Sequence, residues 1–179
     1  ISIRQLFEFI RGDVYRDRIR RLREAMEAGD TAKADRMKKQ LPYHTITATY
    51  VKERLAYSLD KYQDIITVDC DDMPAEKLPE FRQLANDCPD TLGSFISPRM
   101  HGLKIFVYLT GKEAEALRAE LNALGTVDFP TLERYHHRMY ALASSKYETL
   151  LNTKVDTSGS DPGRGFFVSH DPDAFFAPE

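Results

Sequence analysis

Hydrophobic residues in the first quarter of the chain recur three or four positions apart, which is the spacing of one helix face. This pattern predicts helices over residues 2–11, 13–28 and 31–39. Gly29 is a typical helix end, and Pro42 cannot continue the third helix. We therefore expect residues 1–42 to form a basic helical region that packs on the rest of the chain.

After residue 42 the pattern changes to alternation and short apolar runs, which are typical of strands. These features predict strands over residues 45–51, 64–70, 93–97, 103–109 and 165–169. Helical spacing predicts further helices over residues 75–86, 112–124 and 130–150. Because strands and helices do not alternate strictly, and some strands are joined by short turns, we expect residues 43–179 to form an α+β core within a single domain.

Composition places the chain among ordinary folded domains, with 42% hydrophobic residues in 179. Its two cysteines, Cys70 and Cys88, are too few for a disulfide framework. The sequence also has neither a signal-peptide pattern nor an apolar run long enough for a membrane span. We therefore expect a cytoplasmic protein with no membrane partner, and its start at Ile1 leads us to expect a piece of a longer protein.

Charge is distributed unevenly, although the net charge is only −3. Residues 1–54 hold 13 Lys and Arg against 8 Asp and Glu, a balance of +5, and residues 55–179 hold 12 against 20, a balance of −8. A basic leading third is typical of surfaces that contact nucleic-acid phosphates. The candidate contacts are Arg16, Arg20, Lys38, Lys39 and Arg54. The alternative is a solvated helical surface that carries both signs of charge.

The clearest candidate for chemistry is the acidic end of the predicted strand over residues 64–70. Side chains alternate along a strand, so Asp69 and Asp71 share a face and lie about 7 Å apart. Two such carboxylates can bind one divalent ion or bracket a pair, an arrangement that supports phosphoryl transfer. Oxygen ligands favour Mg²⁺ or Mn²⁺ over zinc. The alternative is a strand that ends in an acidic turn.

Cationic residues follow in the turn and strand after residue 97. Lys104, Phe106 and Tyr108 share one strand face, which suits a phosphate and stacked bases, or else aromatic rings packed under a helix. Arg99 and His101 lie in the preceding turn, from which they can reach an anion.

Two further candidates lie near the end of the chain. Asp156 can supply a third carboxylate, and Arg164, before a predicted strand, can clamp a phosphate with two parallel hydrogen bonds. The alternative for each is an ordinary surface residue. The sequence has no P-loop, GxGxxG, CxxC or GxSxG motif, which argues against simple ATPases, dehydrogenases and hydrolases.

The order of these motifs resembles the N-terminal domain of the virulence-associated protein E family, which is similar to the archaeo-eukaryotic primase superfamily. The matching stretches are residues 39–42, Arg54, and residues 65–71, 97–104, 155–156 and 164–172. Two positions depart from the pattern of the family. Lys104 stands where a histidine is usual, and Met100 stands where glycine is usual, which can alter the turn.

The resemblance implies a primase-polymerase-like core with an RNA-recognition-type antiparallel or mixed sheet. It implies that Asp69, Asp71 and Asp156 are catalytic and bind Mg²⁺ or Mn²⁺. The residues implied to bind the phosphates of a nucleoside triphosphate are Ser97, Arg99, His101, Lys104 and Arg164.

The implied function is metal-dependent nucleotidyl transfer on a single-stranded or template DNA. The parent would be a replication protein of a mobile element, with a helicase-type domain in the same or a partner chain. Two alternatives stay open: a catalytically inactive nucleic-acid-binding module with the same fold, and a docking domain for a helicase partner.

Overall fold

The computed structural model describes residues 1–53 and 55–178. The helices in this part of the chain are α1 (Ile3–Arg11), α2 (Arg16–Glu27), α3 (Thr31–Lys39), α4 (Leu78–Asp87), α5 (Lys112–Ala123) and α6 (Phe129–Leu151). The strands are β1 (Tyr43–Thr45), β2 (Ala48–Tyr50), β3 (Leu59–Tyr62), β4 (Ile66–Cys70), β5 (Thr91–Ile96), β6 (Leu103–Val107), β7 (Gly165–Phe167) and β8 (Phe175–Phe176). The fold class is therefore mixed α+β, as the sequence predicts.

The main sheet has the strand order β4-β6-β5-β8, and each neighbouring pair is antiparallel. Strands β4 and β5 both run opposite to the central β6, so they run in the same direction as each other. Helix α4 connects them, which makes β4-α4-β5 a split β-α-β unit with β6 inserted between its strands. Two small antiparallel ribbons, β1 with β7 and β2 with β3, lie outside this sheet.

The main sheet is covered on both faces, which explains why every residue of β4 and β6 is buried. On one face, Ile66, Val68 and Ile105 pack in a core with apolar residues of α4, α5 and α6. On the other face, the Phe106 ring packs edge-on against Phe7 of α1, with ring centroids 5.9 Å apart. Phe106 is thus packed under a helix and is closed to stacking on bases.

Helices α1, α2 and α3 pack on the second face through a shared apolar cluster. Two of them begin at side-chain caps: Ser2 forms a capping box with Gln5 at α1, and Asp30 accepts a hydrogen bond from the Lys33 amide at α3. The boundary at residue 42 between helical region and core stays a prediction. Among the described residues, no helix is both long enough and apolar enough to cross a membrane.

The predicted strand over residues 45–51 is instead two short strands. Thr47 lies between them, and its hydroxyl donates to the Ile65 carbonyl at 2.6 Å while its own carbonyl accepts from the Gln63 amide at 2.8 Å. These bonds turn the chain, so that β1 pairs with β7 and β2 with β3. Strands β3 and β8 were not predicted, because β3 is half polar and β8 has only two residues.

Candidate metal and phosphate site

The acidic end of β4 is built by pairing with β6 and by a contact from the end of the chain. Asp69 lies directly opposite Lys104 in the antiparallel register. The amide of Asp156 donates to the Asp69 carbonyl at 2.8 Å, which holds the residues after α6 against β4. As a result, carboxylate oxygens of Asp69, Asp71 and Asp156 all lie within 4.8 Å of one another. A divalent ion needs such a convergence of oxygen ligands.

Asp156 is fixed by hydrogen bonds at both its backbone and its side chain. The hydroxyl of Tyr140, on α6, donates to its carbonyl at 2.6 Å. Its carboxylate accepts from the Ser158 amide at 2.9 Å, where a short 3₁₀ helix begins. That backbone hydrogen bond lowers the pKa of Asp156. The side chain therefore stays charged at neutral pH and is oriented before any ligand arrives.

Asp69 is the buried member of the triad, with only 8% of its surface exposed. Its Oδ2 accepts from the ammonium of Lys104 in an ion pair whose two side chains are each 11% exposed. Its Oδ1 is buried and has no hydrogen-bond partner among the described residues. A buried carboxylate oxygen without a partner is costly. This loss of stability remains until a cation or a hydrogen-bond donor binds Oδ1 of Asp69.

The donor set fits a hard divalent cation. Burial and, next, the charge of Asp69 raise the pKa of Asp71, although Lys104 opposes this effect. Three clustered carboxylates thus repel one another, and the ammonium groups of Lys104 and Lys38 offset only part of this repulsion at Asp71. A divalent ion would remove that repulsion and satisfy Oδ1 of Asp69, and an all-oxygen site matches Mg²⁺ or Mn²⁺.

A cleft of about 420 Å³ opens beside Asp69 and Asp71, and all five predicted phosphate ligands line it. The lining side chains with hydrogen-bond donors are Lys38, Tyr43, Ser97, Arg99, His101, Lys104 and Arg164. Arg164 is exposed in this cleft. The structure thus brings together a negative end and a largely cationic wall, which is the charge pattern of a metal-bound phosphate site.

Two glycines allow the backbone segments of the cleft to approach closely. A Cβ on Gly102 would lie 2.6 Å from the Cys70 carbonyl oxygen, so only glycine fits between the turn and the end of β4. A Cβ on Gly165 would overlap the Tyr43 ring. Met100 adopts a left-handed φ of 63°, a conformation that favours glycine and is uncommon for other residues.

The basic residues predicted to contact nucleic acid differ in their surroundings where the structure describes them. Lys38 lines the cleft, and its ammonium lies 5.7 Å from the centroid of the Phe167 ring. Arg16 and Arg20 are exposed on α2, where they pair with Asp13 and Glu24. Lys39 is exposed at the end of α3 and does not line the cleft, and Arg54 lies outside the described residues.

Sequence reasoning missed the aromatic wall of the cleft. The rings of Tyr43 and Phe167 meet with centroids 5.0 Å apart, and the Tyr43 hydroxyl accepts from the Gly165 amide at 3.0 Å. Pairing of β1 with β7 creates this wall from the two halves of the chain. No local pattern reveals such a long-range pairing.

Sequence reasoning also assigned His136 no role. It is fully buried, and its ring nitrogens are 2.9 Å from the Tyr62 hydroxyl and 3.0 Å from the Gly159 carbonyl oxygen. The carbonyl can only accept, so Nε2 carries the proton and Nδ1 accepts from Tyr62. His136 thereby anchors the turn that follows Asp156.

A protein-family model matches most of the chain. The model described as "BT4734-like, N-terminal domain" matches residues 36–176. The chain belongs to this family. The match begins within α3 and ends with β8, so the BT4734-like domain includes the whole main sheet and the three carboxylates.

This finding corrects the resemblance inferred from the motif order. The chain matches the BT4734-like family, which is a different family from the virulence-associated protein E domain. The resemblance to the virulence-associated protein E family is therefore wrong. The motifs misled because short acidic and glycine-containing stretches are shared by many folds. Comparison of the BT4734-like domain with curated proteins gave no match. Comparison with solved structures gave none either.

Proposed function

We propose that this domain binds a nucleoside triphosphate through Mg²⁺ or Mn²⁺ and transfers its nucleotidyl group to a hydroxyl on a DNA template. One observation carries the proposal: three carboxylates converge within 4.8 Å beside a cleft lined by lysine and arginine side chains. Carboxylates alone suit many cations, and lysines and arginines alone suit many anions. Their juxtaposition suits a cation that is itself bound to phosphates.

Each side chain has a separate task in this proposal. Asp69, Asp71 and Asp156 would hold the metal, which when bound stabilises negative charge that develops on phosphate oxygens. Lys104 borders both Asp69 and the cleft, so its ammonium can bridge the carboxylate and a phosphate. Arg164 offers a planar pair of donors at the exposed side.

In the reaction, a hydroxyl oxygen bonds to the α-phosphorus in line with the departing group. The bond from that phosphorus to the bridging oxygen breaks, pyrophosphate leaves, and the hydroxyl proton passes to solvent. The chain contributes position and charge. The closed backbone around Gly102 holds the β5–β6 turn close to the end of β4, and Lys104 and Arg164 offset the charge of the leaving pyrophosphate.

The DNA template and the type of sheet each rest on a further observation. The split β-α-β order of β4, α4, β5 and β6 supports an RNA-recognition-type sheet. Lys38 at the cleft supports contact with a phosphate backbone. A helicase-type domain and a mobile-element parent were implied by the resemblance that the family match overturns, so they are not part of the proposal.

A second candidate is a nucleic-acid-binding module without transfer activity. It is favoured by two ion pairs at the cleft, Lys104 with Asp69 and Arg99 with Asp35. These pairs occupy one oxygen that the metal would use and one guanidinium that phosphates would use. This module would bind single-stranded DNA with strong salt dependence and would incorporate no nucleotide.

The deciding experiment measures Mn²⁺-dependent binding of labelled nucleoside triphosphates by equilibrium dialysis, followed by a primer-extension assay. We expect Asp69→Asn to weaken binding at least about tenfold, because a metal ligand is lost. The control is Asp17→Asn, which removes one carboxylate from exposed α2. Metal-independent binding, or equal binding by wild type and Asp69→Asn, would refute the metal site. Salt-sensitive DNA binding without incorporation would favour the second candidate.

A further inference from the structure

A second cleft, of about 550 Å³, lies between α2 and the beginning of α4. Its apolar lining consists of Met26, Ala75, Leu78, Pro79, Ile96 and Met100. Arg99 and His101 line both this cleft and the metal and phosphate cleft. The two clefts therefore meet at the β5–β6 turn, one with a charged lining and the other with a mainly apolar one.

Two guanidinium groups in the second cleft are held in place by other parts of the chain. Arg23 donates to the carbonyl oxygens of Pro98 and His170 at 3.2 and 3.0 Å. Arg82 donates to the buried carboxylate of Asp171 at 2.6 Å. Fixed planar cations beside apolar side chains suit a flat aromatic ring, because guanidinium planes and apolar surfaces both stack on nucleic-acid bases.

The junction between the two clefts also has unused hydrogen-bonding capacity. Nη2 of Arg99 pairs with Asp35, but Nε of Arg99 is buried and has no partner among the described residues. Glu27 and Asp173 add carboxylate acceptors to the second cleft. A ligand that spans the junction would thus meet a donor in its middle and acceptors near its apolar end.

We propose that the second cleft binds the base of the nucleoside triphosphate whose phosphates occupy the first cleft. This inference rests on the proposed function. A nucleotide has a highly charged end and a flat, mostly apolar end that carries a few polar groups. The adjoining clefts offer these two environments in that order, and the second has the size and apolar character of small-molecule pockets.

The test compares a nucleoside triphosphate with inorganic tripolyphosphate, each titrated calorimetrically in the presence of Mn²⁺. The nucleotide used in this test is the one that binds most tightly when the common ribo- and deoxyribonucleoside triphosphates are each titrated. We expect it to bind at least about tenfold more tightly than tripolyphosphate, because base stacking contributes at this level. Ala75→Trp fills the second cleft, so it should abolish this preference and leave tripolyphosphate affinity unchanged.

Two further variants make the outcome decisive. Ala116→Trp adds the same ring to an exposed position on α5, outside both clefts, and should keep the preference. Met26→Trp fills the second cleft from α2 and tests the base site independently, in case Ala75→Trp does not fold. We expect Met26→Trp to abolish the preference as well.

The possible failures are distinguishable. If wild type binds both compounds equally, the base site is refuted while the proposed function stands. If wild type binds neither compound, both the proposed function and the base site are refuted. If a folded Ala75→Trp or Met26→Trp keeps the full preference, the base binds elsewhere and the inference is overturned.

Discussion

Two buried aspartates at opposite ends of the main sheet have opposite environments. Asp90, just before β5, is 3% exposed, and both of its carboxylate oxygens have donors. Thr110 donates to Oδ1 through its hydroxyl at 2.6 Å and its amide at 3.2 Å, and Lys146 donates to Oδ2 at 2.6 Å. Asp69, at the end of β4, pairs with Lys104 and leaves Oδ1 without a partner among the described residues.

The difference is the one expected between a structural carboxylate and the ligand-binding carboxylate that we propose Asp69 to be. The hydrogen-bond donors of Asp90 come from α6 and from the loop after β6. Within the described chain, Asp90 belongs to no group of side chains that could hold a metal ion. Asp69 has an unused oxygen, and Asp71 and Asp156 add negative charge beside it. A fold retains such an arrangement at a cost to its stability, and binding sites are where such costs are expected.

The comparison predicts its largest effect for the two lysines. Lys104→Met should lower the free energy of unfolding by about 3–5 kcal/mol without metal, because it leaves a buried carboxylate uncompensated beside two others. Lys146→Met should cost about 2 kcal/mol, since Asp90 keeps both Thr110 hydrogen bonds and Lys146 is 42% exposed. Urea unfolding of both variants measures the difference. Equal losses would mean that the two aspartates have equivalent environments.

Metal addition should affect only the Asp69 end of the sheet. At a Mn²⁺ concentration of 100 times its dissociation constant, the wild type should gain about 2.7 kcal/mol of unfolding free energy. Asp71→Asn should lose most of this gain, whereas Asp90→Asn should keep it. Thermal unfolding with and without Mn²⁺ gives the measurement. A Mn²⁺ response that survives Asp71→Asn would place the ion away from the triad.

A glycine substitution should displace the third carboxylate without removing it. A Cβ on Gly159 would overlap the Thr67 carbonyl oxygen and the Tyr140 ring, so Gly159→Ala must move the turn after Asp156. We expect a loss of about 1–3 kcal/mol of stability and weaker Mn²⁺ binding. Gly111→Ala is the matched control, because its Cβ would meet nothing within 4 Å. Unchanged Mn²⁺ affinity in Gly159→Ala would show that Asp156 is not a ligand.

Sequence pattern predicted the strand that carries Asp69 and ends just before Asp71, because alternation and β-branched residues act locally. It did not predict how close the carboxylates come. Asp71 follows the end of the strand and Asp72 turns to a φ of 53°, so ideal strand spacing no longer applies. Asp156 was a candidate by motif order, but the amide bond that brings it to Asp69 is a long-range contact with no sequence signature.

Charge counting was less informative than alternation. It treated Arg16, Arg20 and Lys38 alike, yet two of them form ion pairs on α2 and the third lines the cleft. Net charge carries no information on direction or pairing, which tertiary structure decides. The same limit explains why Lys104 was predicted as a phosphate ligand while its partner, Asp69, was not recognised as competing for it.

The smallest predicted effect is a difference in pH dependence between Asp71 and Asp90. Burial and the charge of Asp69 raise the pKa of Asp71. Burial alone would also raise the pKa of Asp90, but hydrogen bonds from Lys146 and Thr110 lower it overall. For Asp71, the protonated carboxyl adds to the free energy of unfolding. This contribution is fully present below the unfolded pKa of about 3.9 and is lost as pH rises through the higher folded pKa. For Asp90, the ionised carboxylate adds to the free energy of unfolding. This contribution is fully present above the unfolded pKa of about 3.9 and is lost as pH falls through the lower folded pKa.

Neutral substitutions should therefore have opposite signs at pH 7 without metal. Asp71→Asn should stabilise the protein by less than about 1 kcal/mol, since the Asp71 carboxylate is only partly desolvated and solvent still screens its repulsion. Asp90→Asn should destabilise it, because the Lys146 pair is lost. Both differences should shrink as the pH of the urea titration is lowered below about 4, where the wild-type carboxyls take up protons. If Asp71→Asn destabilises the metal-free protein at pH 7, then Asp71 has a structural partner, and the contrast between the two ends of the sheet is reduced to Asp69 alone.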